Sequence, residues 1–117
     1  MGRTAKVIVR YVCEYGDSCA FNYAHEEAYK MLMDNGIDMW ASDENNEACA
    51  DRWEIRGKAE LEKYINKLKK LPPNKANKYF KKDHDNSGYT NKYVLEVLLE
   101  WLEAYDEKDA CIRLEWF

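Results

Sequence analysis

Apolar residues change their spacing several times along this chain, and that alternation restricts the fold more than any other feature. Residues 6–13 (KVIVRYVC) alternate and are rich in β-branched side chains, which predicts a strand. Phe21, Ala24, Ala28 and Leu32 then recur at spacings of three and four, the mark of an amphipathic helix. Asp17 and Ser18 are candidate caps for it, Glu26 and Glu27 suit the positive end of its dipole, and Asn35-Gly36 suits its end. Residues 37–41 predict a short strand, 43–46 a turn, and 51–56 an alternating strand with Trp53 and Ile55 on one face. After Gly57, the residues Leu61, Tyr64, Ile65 and Leu68 mark the core side of a second helix that Pro72-Pro73 ends. Residues 74–90 are polar, with one turn of helix expected around 76–80. Thr90 caps a third helix over 91–105, and 111–117 alternate as a final strand.

Reduced to its frame, the order is β-α-β-β-α-β, with an extra helix before the last strand. That frame is the ferredoxin-like split βαβ plan, a four-stranded antiparallel sheet. The first and third strands would be interior, the last would pair with the first, and helices would cover one sheet face. A chain of 117 residues fits one α+β domain over residues 1–117. At 46% apolar and 34% charged, it is expected to fold rather than stay disordered.

No apolar run approaches the roughly 18 to 20 residues needed to cross a bilayer, and residues 1–13 contain no secretory apolar core. The expectation is a cytoplasmic protein with no membrane contact. Cys13, Cys19, Cys49 and Cys111 form no C-x-x-C pair, so reduced thiols are expected, with no metal site and no cofactor. His25 and His84 stand three or four residues from no second His or Cys, and no Ser-centred elbow or phosphate-binding glycine loop is present. No catalytic residue is assigned. Cys13 and His25 have the residue types of a nucleophile–base pair, but nothing in their spacing selects them.

Charge is distributed unevenly. Residues 63–82 hold eight lysines and no acid, whereas the other ten basic residues face all 22 acids. Lys63, Lys67 and Lys70 ride the outer side of the second helix, and Lys75, Lys78, Lys81 and Lys82 surround Tyr79 and Phe80. A positive field on an acidic body favours anionic partners, acidic protein surfaces included. Basic residues among aromatics also suit single-stranded nucleic acid, although the net charge of −4 disfavours indiscriminate binding. In the plainer reading the lysines are a solvated face, and Tyr79 and Phe80 pin the loop to the core.

Two further surfaces emerge. Arg10, Arg52, Arg56 and Arg113 share the sheet face away from the helices and are candidate anion ligands. The alternative is a cross-strand ladder in which Glu14, Glu54 and Glu115 offset them. The third helix is apolar over more than half its circumference, so it is either packed on two sides or packs against another chain, as a homodimer or with an obligate partner. Residues 83–89 (DHDNSGY) resemble the first half of an EF-hand loop, but Val94 stands where the bidentate Glu belongs. An Asx-rich turn explains them as well.

These features favour a non-catalytic interaction module whose most suitable partner is a protein. An accessory or counter-defence protein of a phage or mobile element is one setting it would suit. A nucleic-acid-binding module using residues 63–82 is the alternative, and a small ligand-binding or enzymatic domain with an unseen pocket the third.

Overall fold

The computed structural model describes residues 4–10, 14–15, 21, 24–80, 89–105 and 108–116; along residues 5–15 the side chains described are those of Ala5 and Val7. Among these residues the strands are β1 (Ala5–Arg10), β2 (Glu14–Tyr15), β3 (Met39–Ala41), β4 (Arg52–Ile55) and β5 (Ile112–Trp116). The helices are α1 (His25–Asp34), α2 (Lys58–Leu68) and α3 (Asn91–Ala104), and a short 3-10 turn, Glu47–Cys49, joins β3 to β4. The result is a small α+β domain.

The sheet is antiparallel in the order β2-β1-β5-β4-β3. The last strand pairs with the first, as expected, but it also pairs with β4 and so separates β1 from β4. This is not the ferredoxin-like order, in which the first and third strands are neighbours. The extra elements account for the difference. Ile55, the end of β4, lies opposite Ile112, the start of β5. The excursion through α2 and α3 therefore leaves and returns at one end of the sheet. A single crossover helix would return the chain at the other end, and β5 would have to skip a strand. Two helices let it lie directly beside β4. At the other edge β2 extends the sheet by a pairing with β1 that the alternation alone did not signal.

The core forms where the period-2 face of the sheet meets the helical stripes. Ala5, Val7, Trp53, Ile55, Ile112, Leu114 and Trp116 face Ala28, Met31 and Leu32 of α1, the four expected residues of α2, and Val94, Val97, Leu98 and Trp101 of α3. Val9 and Tyr11, expected on that face, lie outside the described side chains.

Helix α1 starts later than its apolar spacing suggests. Phe21 is buried but has φ of 58°, outside the helical region, and its ring stacks on Phe80 at 4.8 Å and meets the edge of Trp101 at 5.5 Å. Packing therefore takes precedence over helical continuation, and α1 begins at His25 after Ala24, which makes no side-chain cap. Asp17 and Ser18 lie outside the described residues. The other end follows expectation: Gly36 at φ 69° donates to Met33 O and Ile37 N donates to Leu32 O, the Schellman pair of bonds. At the entrance to α2, Arg56 N and Gly57 N both donate to Asp38 O, and a Cβ on Gly57 would lie 2.8 Å from Asp38 N. Only glycine admits that approach.

Two tyrosines tie this packing to pH. Burial pushes Tyr64 up to about 12, and burial together with its hydrogen bond to the Glu47 carboxylate pushes Tyr29 up to about 12. Both begin from an ordinary value of 10.0, so the folded state holds these protons more tightly than the unfolded state. Their stabilising contribution is intact below pH 10 and is lost as pH rises toward 12. Urea midpoints are expected to fall across that window, and less so in Tyr64→Phe. A midpoint drop of equal size in that variant would contradict the assignment of Tyr64.

Candidate functional site

The lysine-rich segment builds a groove of about 410 Å³ between the end of α2, residues 71–78 and the start of α3. Lys67, Lys75, Lys78 and Leu71 line it, together with Tyr64, Asn35, Asn77 and Asn91. Two buried asparagines make it possible. Asn77 is 1% exposed and its Nδ2 donates to Asn91 Oδ1 at 3.1 Å, while Asn91 Nδ2 donates to Pro72 O at 2.9 Å. Asn77 Oδ1 accepts from Tyr79 N at 3.0 Å. The backbone adds Asn77 N to Tyr89 O, Asn91 N to Lys75 O and Lys92 N to Pro73 O. Residues 72–80 have no regular structure of their own beyond the Ala76–Thr90 bridge and turns at 73–74 and 78–80, so these bonds to Tyr89 and α3 help fix them. The helical turn expected at 76–80 is instead this bridge and the turn at 78–80.

Lys67 from the helical ridge thus meets Lys75 and Lys78 from the loop, two groups that read as separate in the sequence. Among the described residues the lining contains no carboxylate, and no ion pair involves these three lysines. Lys78 Nζ sits 5.1 Å from the Tyr79 ring centroid. Lys63 and Lys70 are exposed nearby on the chain, and Lys81 and Lys82 lie outside the described residues. Leu71 is 45% exposed at the groove. Phe80 is corrected from contact to core: it is 3% exposed and packs on Phe21 and Tyr89. Tyr79 is half-buried, with its hydroxyl accepting from Asn35 Nδ2 at 3.4 Å.

The arginine face is a ladder. Glu54 lies opposite Arg113 and Arg52 opposite Glu115 in the β4–β5 register. The Glu54 carboxylate contacts Arg113 and also Arg56 at 2.9 Å; Arg113 reaches Asp109 at 3.1 Å, and Arg52 lies 3.9 Å from Glu115. The Asp109 hydrogen bond raises the Arg113 guanidinium further above its already high range. Each of the three arginines has a carboxylate beside it, so the face offers an external anion little unbalanced charge. The Arg10 side chain lies outside those described.

Helix α3 packs against both α2 and β1, which accounts for most of its broad apolar arc. Leu99 remains 39% exposed, between half-buried Leu95 and Leu102. Thr90 caps α3 as expected, accepting from Tyr93 N at 3.1 Å. Residues 83–88 of the EF-hand-like stretch lie outside the described residues. No helix among the described residues is long and apolar enough to cross a membrane.

One cluster has no counterpart in the sequence reading. His25 Nε2 lies 3.4 Å from Cys49 Sγ, and the Cys49 thiol donates to Glu26 Oε1 at 3.7 Å. Ligand atoms of all three lie within 4.8 Å of one another. The packing of α1 on the Glu47–Cys49 turn closes this 24-residue separation. Glu47 fastens that turn: its carboxylate accepts from Tyr29 Oη and its carbonyl from Trp53 Nε1 at 3.0 Å.

Comparison with protein-family models, with curated proteins and with solved structures finds no match, and the functional reading rests on the residues themselves.

Proposed function

We propose that this protein is a non-catalytic interaction module that holds an acidic segment of a protein partner in the groove lined by Lys67, Lys75 and Lys78. The observation that carries the reading is a groove whose described lining holds three lysines and no carboxylate, on a chain of net charge −4. A concave positive site on an acidic body focuses attraction on one place and repels acidic chains elsewhere. Exposed Leu71 at its rim suits a segment that adds one apolar side chain to its acids. The module would work in the cytoplasm, where its thiols stay reduced. Burial of Phe80 takes one of the two loop aromatics away from base stacking, which favours a peptide over a single strand of nucleic acid.

Fluorescence anisotropy with a glutamate-rich peptide containing one leucine tests this, beside a single-stranded oligonucleotide of equal charge. The peptide is expected to bind more tightly than the oligonucleotide and to weaken as salt rises. At about 6 Å in a water-like medium each lysine contact contributes ~0.7 kcal/mol, and reversing its charge doubles the effect. Lys67→Glu with Lys78→Glu should therefore weaken the peptide about a hundredfold. Arg52→Glu on the opposite sheet face should leave affinity within about twofold, because a distant exposed charge is largely screened. Tighter oligonucleotide binding, or a double reversal without effect, would overturn the proposal.

A further inference from the structure

We infer that His25, Glu26 and Cys49 form a binding site for a zinc-class divalent ion with a fourth coordination position open to solvent. The argument begins with distance. Tetrahedral zinc holds imidazole nitrogen at about 2.0–2.1 Å, thiolate sulfur at about 2.3 Å and carboxylate oxygen at about 2.0–2.2 Å, which sets such ligands about 3.5 Å apart. The sulfur lies 3.4 Å from His25 Nε2 and 3.7 Å from Glu26 Oε1. All three ligand atoms lie within 4.8 Å of one another, and rotation of the exposed Glu26 side chain is the adjustment that brings its oxygen to the ion.

Donor chemistry narrows the ion. Imidazole with thiolate selects zinc and its relatives over the oxygen-seeking calcium and magnesium. Three protein ligands leave one tetrahedral position, and exposed Glu26 keeps that side accessible to water. The supports are rigid. His25 and Glu26 open α1, and the His25 ring packs at 6.1 Å on the buried Trp116. Cys49 closes the turn that Tyr29 and Trp53 anchor through Glu47. On binding, the Cys49 thiol gives its proton to water and the thiolate sulfur bonds the metal, with no change of oxidation state. Imidazole then carries its proton on Nδ1, which is buried and has no hydrogen-bond partner among the described residues. A missing outer partner weakens a site, so affinity below that of a fully supported zinc centre is expected.

Cobalt(II) serves as the probe, because a cobalt–thiolate bond produces a charge-transfer absorption that reports the sulfur directly. The full chain is expected to take up one equivalent of cobalt with that absorption, and zinc is expected to displace it. Cys49→Ser should abolish the absorption. Glu26→Gln, an exposed change that spares the fold, should weaken zinc by at least about tenfold, the lower end of losses seen even for outer-shell partners. A Cys13→Ser/Cys19→Ser chain should keep the absorption. Near-ultraviolet circular dichroism checks that each variant is folded. Absence of the absorption in the parent chain, its survival in Cys49→Ser, its loss in the Cys13/Cys19 variant, or unchanged zinc affinity in Glu26→Gln would overturn the assignment.

Discussion

Trp53→Ala is expected to destabilise the domain by about 3–5 kcal/mol and to lower its thermal midpoint by roughly 10–20 °C for a chain of this size. Trp53 is fully buried on β4, and its ring meets Trp116 edge-on at 4.9 Å and Tyr29 at 5.7 Å. Its neighbours in the sheet are Leu114 and Ala41. Removing the indole opens a cavity among rings and strands that cannot collapse without disturbing the ladder. It also leaves Glu47 O without the Nε1 donor at 3.0 Å. Trp53→Phe separates the two effects, since it keeps a ring and loses the donor. Its cost should be the smaller, and its damage should concentrate on the Glu47–Cys49 turn. Chemical denaturation measures both. A Trp53→Phe chain as unstable as Trp53→Ala would mean that the turn's hydrogen bond, not the cavity, dominates.

How far such a site could be foreseen depends on whether its cause is local. Alternation in residues 51–56 and 111–117 was enough to place Trp53, Ile55, Ile112, Leu114 and Trp116 in the core, because side chains on a strand must alternate. The caps at Gly36 and Thr90 were legible for the same reason: each is set by a residue's own conformational or hydrogen-bonding preference. Strand order was not. Element succession counts strands and helices but does not state at which end of the sheet an excursion returns, and the α2–α3 pair returns beside Ile55. Phe21 shows the same limit at one residue. Its spacing fits the helix, yet contact with Phe80, 59 residues later, holds it at positive φ.

The sites divide in the same way. Lysine density was visible, and so was the cross-strand offset of arginines by glutamates, since both follow from composition and strand parity. That Lys67 would join Lys75 and Lys78 around one groove was not, because the fold of residues 72–80 is decided by Asn77 and Asn91, whose partners lie in α3 and at Pro72. His25 and Cys49 escaped notice because ligand motifs are recognised by short spacings, and these two are joined only through the packing of α1 on the turn.

Asn77→Ala and Asn91→Ala are expected to cost about 1–3 kcal/mol for each buried group left unpaired. Loss of Asn77 strands Asn91 Oδ1 and Tyr79 N, and loss of Asn91 strands Asn77 Nδ2 while leaving Pro72 O with the Lys75 N donor at 3.3 Å. Because each substitution breaks the bond they share, the double variant should be less destabilised than the sum, with a coupling of about 0.5–3 kcal/mol. The same substitutions reach function by a separate route. They release the bonds between residues 72–80 and α3 that keep Lys75 and Lys78 beside Lys67, so peptide affinity should fall while every lysine remains. Charge reversal removes attraction, whereas loss of the asparagines disperses it, and the two are told apart by salt. With the lysines present but scattered, the salt dependence of binding should persist at lower affinity, because charge number is unchanged. With Lys67 and Lys78 reversed it should nearly vanish. Additive asparagine costs together with unchanged peptide affinity would show that the loop keeps its lysines in place without this pair.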